Sequence, residues 1–376
     1  MEKERVQKLI IFGTGWRSRN VIENLDREQY EIKAYADNNK DRHGKEIDGI
    51  PIISPKEIKT FEFDKIVICS TAYDEIYVQL KEDCGIDPSK IENHFYICKS
   101  KLLQYYERAF PQKLLNNQMI EVLEWIKNHN LSVFNYPFAE NYHDLQVDVF
   151  FDQEKKLYYV FHNGKKMYFS KSFTSEKQVV RYYRGICCEQ DSKSPHRYLN
   201  EYFYVNTGAV VVDAGVAEGN FALDIIDRVS KIYLIEPDEE WIEALQYTFE
   251  SYREKVVLVT RFLSDNNNEK NITLDVLLKD SRVDFIKMDI EGAEESALIG
   301  GKEILSRNEK LKVAVCAYHR PDDEQKLRDI LEGHNFIVDT SQGYMVFITL
   351  DNAFDYSGNK ILVRGLLRAK KDVAKI

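Results

Sequence analysis

The sequence predicts an α/β protein with two β-α-β units, each built on a mostly parallel sheet, and two stretches of similar pattern support this prediction. One apolar strand, Lys8–Phe12, leads into Gly13 and Gly15, and another, Ala209–Val212, leads into Gly215. Each glycine turn is followed by apolar residues at helical spacing and then by another apolar strand. This alternation is typical of a parallel sheet covered by helices.

Length and charge restrict the class of protein. With 376 residues the chain is long enough for two domains with separate cores. No apolar run approaches the ~20 residues that cross a membrane. The net charge of −10 opposes a nucleic-acid partner, because neutralising phosphates requires a concentrated basic surface. The basic segment Arg364–Lys371 is interpreted as a solvated end.

The first residues and the cysteines favour a cytoplasmic protein. The charged residues Met1–Lys8 run directly into a strand, so neither a signal peptide nor secretion is expected. The six cysteines contain no C-x-x-C pair, which argues against a structural zinc site and fits reduced thiols.

The stretch around Asp213 predicts a ligand-binding corner. Asp213 ends a buried strand, and Gly215 and Gly219 let the backbone turn close to a ligand. A carboxylate here would repel a pyrophosphate but suits a cationic or hydroxyl-rich ligand such as S-adenosylmethionine. The next strand, Lys231–Ile235, ends at Glu236, which is placed to bind ribose hydroxyls. The alternative is that Asp213 caps the helix and Glu236 is a solvated loop charge.

The N-terminal turn departs from a dinucleotide-binding motif. Its third glycine position is Ser18, and the bulky Trp16 lies where a pyrophosphate would approach. The next strand ends at Asp37, so Gly13, Gly15 and Asp37 are candidates for a nucleotide or sugar-nucleotide site. The alternative, equally open, is a domain kept for packing or dimerisation, and a homo-oligomer is therefore one expectation.

Residues 101–200 are expected to form a helical and β-hairpin connecting region. Apolar spacing predicts a helix over 114–128, and the turn His-Asn-Gly-Lys at 162–165, between aromatic segments, predicts a β-hairpin. Residues 196–198 are aromatic and basic and are candidates to cover an acceptor. The alternative is that they pack and cap a helix, with Ser194 as its N-cap.

Two further strands place polar residues at one sheet edge. The strand Val283–Met288 ends at Asp289, and the strand Leu311–Ala317 ends just before His319. These strands are expected to be neighbours, so both side chains would point into one crevice. An antiparallel hairpin over residues 336–348 is expected to close the sheet.

Five segments of this region resemble one known family. VDAGVAEGNFAL, YLIEPDEEW, TLDVLL, VDFIKMDIEGAEESALIGG and VCAYHRPDD resemble the FkbM family of S-adenosylmethionine-dependent methyltransferases, the segment KMDIEGAE most specifically. The resemblance implies a Rossmann-like class I methyltransferase domain, with a seven-stranded, mostly parallel sheet and an antiparallel last hairpin, and O-methylation of sugars or glycosylated products. The cofactor-lining residues that it implies are Asp213, Gly215, Glu218, Gly219, Asn220, Glu236, Pro237, Ser264, Asp265 and Asp289. Glu218 stands where many members have asparagine.

The N-terminal residues resemble a second kind of domain. The segments IIFGTGWRSRNVI, AYADNN, GKEIDGIPIISPKEI and KIVICST are similar to the small Rossmann-like domain found beside sugar-modifying transferases, which implies a nucleotide-linked ligand. The expected organisation is a Rossmann-like N-terminal domain over 1–100, the connecting region over 101–200, an FkbM-type methyltransferase domain over 201–350 and a C-terminal tail over 351–376.

These patterns predict an O-methyltransferase that modifies a hydroxyl of a sugar, nucleotide-sugar or glycoconjugate precursor. Because such a hydroxyl is a weak nucleophile near neutral pH, we assign His319 as general base, with Asp289 orienting it. The alternatives are a polar loop residue for His319, and a charged first helical turn for Glu291 and Glu294. A Mg²⁺ ion could be bound by Asp289 and Glu291, but two ligands are too few to predict a metal site. The acceptor-side candidates are His196, Arg197, Tyr198, Glu291, Gly13, Gly15 and Asp37.

Two other functions stay open. A nicotinamide-dependent sugar-nucleotide oxidoreductase would use the Gly13 turn, although Ser18 and the lack of a Tyr-x-x-x-Lys pair beside it oppose this. A non-enzymatic scaffold would use both units to bind ligands that regulate assembly, and the acids at the strand ends and His319 oppose that function.

Overall fold

The structure is a computed structural model and describes residues 5–23, 25–70, 72–279, 281–348 and 361–372. It divides into two compact units. The N-terminal unit comprises Met1–Asn135 with Ile348–Ile361, and the C-terminal unit comprises Tyr136–Phe347 with Leu362–Ile376. The boundary falls inside the expected connecting region, so its helix belongs to the N-terminal unit and its hairpin to the C-terminal unit.

Within the described residues, the N-terminal unit is built on a six-stranded sheet. Its strands and helices are β1 (Gln7–Phe12), α1 (Trp16–Glu23), β2 (Tyr30–Ala36), β3 (Glu46–Ile47), β4 (Ile50–Ile53), β5 (Lys65–Ile68), α2 (Tyr73–Val78), β6 (Ile91–Asn93), α3 (Phe95–Gln104) and α4 (Asn117–Asn128). The strand order is β3-β4-β2-β1-β5-β6, and the pairs are parallel except β3 with β4. Alternate residues of β1 face opposite sides, so Leu9 and Ile11 pack in one core cluster and Ile10 and Phe12 in another.

The described part of the C-terminal unit is built on a seven-stranded sheet. The strands of this unit are β7 (Val149–Asp152), β8 (Leu157–His162), β9 (Lys165–Tyr168), β10 (Val210–Ala214), β11 (Lys231–Ile235), β12 (Val256–Val259), β13 (Phe262–Leu263), β14 (Asn271–Ile272), β15 (Phe285–Met288), β16 (Lys312–Cys316), β17 (Phe336–Thr340), β18 (Met345–Val346), β19 (Leu362–Val363) and β20 (Leu366–Lys371). Its helices are α5 (Pro137–Glu140), α6 (Glu176–Glu189), α7 (Asn220–Ile225), α8 (Glu239–Thr248), α9 (Leu274–Leu277), α10 (Glu294–Ile299), α11 (Lys302–Arg307) and α12 (Asp323–Gly333).

The order of the seven-stranded sheet brings the site together. It runs β12-β11-β10-β15-β16-β20-β17, with the first five strands parallel and β20 antiparallel to both of its neighbours. The predicted mostly parallel sheet with an antiparallel last pair is therefore confirmed. Because β10 lies between β11 and β15, the carboxyl ends of these three strands meet at one edge.

The last strands differ from the expected hairpin. Residues 345–346 pair with β19 in a separate two-stranded sheet, and the partner of β17 is β20. The interpretation of Arg364–Lys371 as a solvated end is therefore wrong. The segment is basic, but Leu366, Leu367 and Ala369 are buried in the core, so β20 is an interior strand.

The predicted hairpin at 162–165 is present between β8 and β9. Asn163 and Gly164 have φ of 49° and 78°, the left-handed conformations that a tight hairpin turn requires. The strands pack on α8, where Leu157 and Tyr168 form a buried cluster with Ala244. None of the helices in the described ranges has the length and apolarity needed to cross a bilayer.

Candidate active site

A cavity of about 470 Å³ lies at the carboxyl ends of β10, β11 and β15. Ligands of parallel α/β sheets bind at this kind of edge. The polar side chains of its wall are Tyr182, Glu189, Gln190, Tyr198, Glu218, Asn220, Glu236, Asp238, Lys287, Asp289, Glu291 and Tyr318. The remaining wall is formed by Gly215 and by Ile186, Val216, Ala217, Ile235, Pro237, Trp241, Phe262, Leu263, Ile290 and Ala293.

Asp213 does not line this cavity but pairs with a lysine that does. It is 1% exposed, and its Oδ1 lies 3.1 Å from Nζ of Lys287, the residue opposite it in the register of β10 and β15. Burial raises the pKa of Asp213, and the charge of Lys287 opposes that rise. Burial also acts to lower the pKa of Lys287, but the charges of Asp213 and Asp289 raise it above its usual value, so the amine stays cationic.

Glu236, at the end of β11, braces the glycine turn. Its Oε2 accepts a hydrogen bond from the N–H of Ala217 (2.8 Å) and its Oε1 one from the N–H of Asp238 (2.9 Å). The turn requires glycine at Gly215, where φ is 73° and a Cβ would lie 1.6 Å from the carbonyl oxygen of Asp289. Because Glu236 also lines the cavity, hydroxyls of a ligand would share its carboxylate with two backbone groups.

Glu218 adds a second carboxylate to the wall. It is 4% exposed, and its Oε2 accepts a hydrogen bond from the hydroxyl of Tyr182 (2.8 Å). Burial raises the pKa of Glu218 to about 7, although hydrogen bonds from a backbone N–H and from Tyr182 oppose the rise. A carboxyl in this state gains from a cationic group on a ligand.

The Ser264–Asp265 turn lies outside the cavity wall, whereas Phe262 and Leu263 line it. The turn packs against the end of α10, where a Cβ on Gly300 would lie 2.1 Å from the carbonyl oxygen of Ser264. Phe262 is 54% exposed and offers its ring to a flat ligand. Of residues 262–265, only the first two therefore line the cavity.

Asp289 is the centre of the polar contacts at this edge. Its Oδ2 accepts a hydrogen bond from the hydroxyl of Tyr198 (2.8 Å) and lies 3.7 Å from Nε2 of His196, while its Oδ1 lies 3.4 Å from Nε2 of His319. Burial opposes ionisation, but the charges of His196, Lys287 and His319 hold the pKa of Asp289 below its usual value. Asp289 therefore faces the cavity as a carboxylate.

His319 is oriented by a different acid from the expected one. Its Nδ1 lies 2.9 Å from Oε1 of Glu294, and its Nε2 faces Asp289 and, at 3.6 Å, Oε2 of Glu291. Burial acts to lower the pKa of His319, but Glu294, Asp289 and Glu291 raise it above its usual value. The imidazole is 4% exposed and lies behind Asp289 and Glu291, which line the cavity. The shorter orienting contact is thus with Glu294, and the predicted partner Asp289 lies 3.4 Å from the other ring nitrogen.

The acceptor-side candidates of this unit separate into two groups. Tyr198 and Glu291 line the cavity, and His196 and Arg197 do not. His196 is 1% exposed and its Nδ1 lies 2.7 Å from Oε1 of Glu189, while Nε of Arg197 donates to a backbone carbonyl two residues further on (2.6 Å). Among the cofactor candidates, Gly219 has φ of 89° and precedes α7, and Asn220 and Pro237 line the cavity.

In the N-terminal unit, the carboxylate of Asp37 is hydrogen-bonded to the glycine turn after β1 and to its own loop. Its Oδ2 accepts hydrogen bonds from the N–H of Thr14 (3.1 Å) and from the hydroxyl of the same residue, and its Oδ1 accepts one from a backbone N–H two residues further on (2.9 Å). Nη1 of Arg42 lies 3.5 Å from Oδ2. Gly13, Gly15 and Asp37 are therefore brought together, but a ribose would compete with the turn for Asp37.

Several polar side chains of the site were not predicted from the sequence, among them Lys287 and Glu294. Lys287 had a readable signal, because its strand pairs with β10 and places it opposite Asp213. For Glu294, only the alternative of a charged first helical turn was considered. The contact of Tyr182 with Glu218 had no local signal, because only the packing of α6 brings the two side chains together.

Comparisons with known proteins agree with this description. Residues 246–344 match the methyltransferase FkbM domain family, and residues 5–92 match the C2185-like, N-terminal family. The chain therefore carries an FkbM methyltransferase domain, preceded by a C2185-like N-terminal domain. The predicted enzyme class, an S-adenosylmethionine-dependent methyltransferase, is confirmed by this match. The match begins after Glu236, so the earlier half of the cavity wall is known from the structure alone.

The chain is also similar, at low identity, to solved methyltransferase structures. Methyltransferase FkbM from Methylobacillus flagellatus KT is 18% identical, with a TM-score of 0.44 over 98% of this chain and 91% of that chain. Magnesium protoporphyrin IX methyltransferase (ChlM) from Synechocystis PCC 6803, with bound SAM, is 17% identical, with a TM-score of 0.30 over 44% of this chain and 71% of that one. SMU.1697c from Streptococcus mutans, in complex with SAH, is 13% identical, with a TM-score of 0.31 over 45% and 91%. No curated protein matches the chain in sequence.

Proposed function

We propose that the C-terminal unit binds S-adenosylmethionine in the cavity and transfers its methyl group to a hydroxyl of a sugar, a nucleotide-sugar or a glycoconjugate precursor. The FkbM domain match supports methyl transfer. The acceptor class is supported by the polar edge of the cavity, where Asp289 and Glu291 present carboxylates and Tyr198 a phenol. Carboxylates and phenols are hydrogen-bond partners for hydroxyl groups.

The charges of the wall suit this cofactor. S-adenosylmethionine carries a sulfonium and an ammonium, and Glu218 and Asp289 are carboxyl groups on the wall, while the charge of Lys287 is balanced by Asp213. We assign the ammonium to Glu218, the sulfonium to the neighbourhood of Asp289, and the adenine to the exposed ring of Phe262. In this arrangement the methyl group faces the polar edge.

The reaction is an in-line displacement at carbon. A lone pair of the acceptor oxygen attacks the methyl carbon, the C–S bond breaks with its electron pair going to sulfur, and the hydroxyl proton is released. The products are a methyl ether, S-adenosylhomocysteine and a proton. Positioning of the two reactants supplies roughly 7–11 kcal/mol in favourable cases. Asp289 and His319 stay the proposed catalytic pair, because Asp289 lines the cavity where the acceptor hydroxyl would bind and His319 contacts Asp289 from behind. Assisted proton loss is worth about 10²–10⁴-fold.

Calorimetric titration of the full chain with S-adenosylhomocysteine tests the cofactor site. We expect micromolar binding, and we expect Glu236→Ala to weaken it by about two orders of magnitude because the turn loses its brace. Glu303→Ala, at an exposed position of α11, is the matched control and should bind as the unchanged chain does. No adenosyl binding together with a clear NAD signal would contradict the proposal and move the chemistry to the N-terminal unit.

Product analysis tests the acceptor class. The chain, S-adenosylmethionine and a panel of UDP-sugars should give a sugar that has gained one methyl group by mass spectrometry. Asp289→Asn should lower kcat by about 10²–10⁴-fold. It should change S-adenosylhomocysteine affinity by less than tenfold, and equal losses of kcat and of affinity would place Asp289 in cofactor binding alone.

A further inference from the structure

Three carboxylates and one imidazole lie together at the carboxyl ends of β15 and β16. Asp289, Glu291 and Glu294 follow β15 along the chain, and His319 follows β16. Asp289, Glu294 and His319 each offer a donor atom within 4.8 Å of the others, and Glu291 reaches the same imidazole. We call these four residues the acid-histidine cluster.

The distances in this cluster suit a bound cation. Nε2 of His319 lies 3.4 Å from Oδ1 of Asp289 and 3.6 Å from Oε2 of Glu291. Ligands of an octahedral cation held at about 2.1 Å lie about 3 Å from one another, so the spacing of Nε2 from each of these two carboxylate oxygens exceeds the spacing of two ligands on one ion by only a few tenths of an ångström. The hydroxyl of Tyr198 occupies Oδ2 of Asp289 and leaves Oδ1 on the side of His319.

Glu294 gives a second, independent indication. It is 0% exposed; its Oε1 accepts a hydrogen bond from the N–H of Ile290 (2.8 Å) and lies 2.9 Å from Nδ1 of His319. In the described residues no hydrogen-bond partner is found for its Oε2. A fully buried carboxylate is costly unless positive charge compensates it. A metal-bound histidine usually contacts a carboxylate through its other ring nitrogen, which is the position that Glu294 takes.

A neighbouring group places the ion on one side of Asp289. His196, Asp289 and Cys316 also lie within 4.8 Å of one another. However, Nε2 of His196 lies 3.0 Å from the hydroxyl of Tyr318, and Cys316 is fully buried. Thiolate ligands suit softer ions such as Zn²⁺ and Cu(I), so this group is the poorer match for Mn²⁺ or Mg²⁺. The cation therefore belongs with His319.

We propose that Asp289, Glu291 and His319 bind one divalent cation of the Mn²⁺ or Mg²⁺ class, with Glu294 holding the histidine ring. Carboxylate oxygens suit these ions, and a single imidazole nitrogen favours Mn²⁺ over Mg²⁺. Three protein ligands leave positions for acceptor hydroxyls, and this role rests on the proposed methyl transfer. The cation lowers the pKa of a bound hydroxyl, and His319 then acts as a ligand while the released proton goes to solvent.

Direct binding of Mn²⁺ to the full chain, without S-adenosylmethionine, tests the site. After EDTA treatment and desalting, we expect calorimetry and the Mn²⁺ EPR signal to show one bound ion per chain. His319→Gln should weaken binding at least tenfold and Glu294→Gln by roughly 10–100-fold, while the exposed control Glu303→Gln should bind unchanged. The same affinity in all of these proteins, or no binding at millimolar Mn²⁺, would overturn the proposal.

Glu291→Gln tests the metal site even if the variants at the buried residues His319 and Glu294 fail to fold. The Glu291 side chain is 90% exposed, so this substitution does not disturb the core, and it should weaken Mn²⁺ at least tenfold. Unchanged affinity would remove Glu291 from the site and overturn the ligand set. Titration of the same samples with S-adenosylhomocysteine separates the two proposals. Cofactor binding without Mn²⁺ binding rejects the cation alone, and the reverse result rejects the cofactor site alone.

Discussion

Both units place an acid after the second strand of a β-α-β arrangement, and both acids brace the preceding turn. In the N-terminal unit, Asp37 accepts hydrogen bonds from Thr14 and from a backbone N–H of its own loop, and Arg42 lies 3.5 Å away. In the C-terminal unit, Glu236 accepts hydrogen bonds from two backbone N–H groups in the same manner. The bracing contact is therefore common to both units.

The units differ in the number of polar groups that are not hydrogen-bonded to the turn and face a cavity instead. Around Glu236, the wall also carries Glu218 and Asp289, together with Lys287, whose charge is balanced by Asp213. A strand-end acid by itself therefore indicates a braced turn. A ligand site is indicated by further charged groups that the fold leaves facing a cavity.

The largest effect is expected at the glycines of the two turns. Gly215→Ala would place a methyl group 1.6 Å from a backbone oxygen at a φ of 73°, so we expect a loss of more than about 3 kcal/mol in unfolding free energy and no S-adenosylhomocysteine binding. Gly15→Ala meets no atom within 4 Å and should change the free energy by less than about 1 kcal/mol. Chemical denaturation followed by circular dichroism measures both, and equal stabilities would remove this distinction between the turns.

The next largest effect is expected at the two ion pairs. Lys287→Met leaves Asp213 buried without its partner and should cost about 3–5 kcal/mol, whereas Arg42→Met, in a partly exposed pair, should cost less than about 1 kcal/mol. Adding Asp213→Asn to Lys287→Met should recover at least half of the loss, because no charge then stays buried. Chemical denaturation of the unchanged chain, the two single variants and the double variant measures these free energies of unfolding. A double variant as unstable as Lys287→Met would show that the loss of the ion pair is not the cause.

The pH dependence of cofactor binding is expected to be intermediate in size. Glu218 has a pKa of about 7 and must lose its proton to pair with the ammonium of S-adenosylhomocysteine. Affinity should therefore rise about tenfold between about pH 6 and pH 8. Glu218→Gln should flatten this dependence in calorimetric titrations. A slope that survives the substitution would assign the ammonium to another group.

Glu218 and Asp37 predict opposite pH effects on the stability of the unliganded chain. The folded-state pKa of Glu218 lies above its usual value of 4.5, so its contribution to stability is present at low pH and is lost as pH rises towards about 7. Burial acts to raise the pKa of Asp37, but hydrogen bonds from Thr14 and Asn39 and the charge of Arg42 lower it, so its contribution is lost as pH falls. Glu218→Gln should remove the first effect and Asp37→Asn the second, as measured by denaturation midpoints across this pH range.

The smallest effect is expected from loosening the N-terminal turn. Thr14→Val removes one hydrogen bond to Asp37 and should cost about 1 kcal/mol of unfolding free energy. S-adenosylhomocysteine affinity should stay unchanged, because the cavity wall lies in the other unit. A change of more than about threefold in S-adenosylhomocysteine affinity, measured by calorimetry, would show that the N-terminal turn affects cofactor binding.

The sequence by itself determined the features that depend on neighbouring residues. The glycine turns, the hairpin at 162–165 and the positions of Asp289 and His319 after two buried strands follow from local composition and spacing. Backbone conformation at glycine and the two-residue period of strands act over a few residues, so a linear pattern records them. The family resemblance of the segment KMDIEGAE likewise needed no coordinates.

Only the tertiary structure decided which polar groups meet. The pairing of Asp213 with Lys287 depends on strand register, and the contact of Glu294 with His319 depends on how the start of α10 meets the loop after β16. The basic segment of β20 resembles a solvated end in sequence, but its apolar residues complete the core between β16 and β17. These outcomes are set by burial and by contacts between segments far apart along the chain, and a charged residue carries no local mark of the partner that will neutralise it.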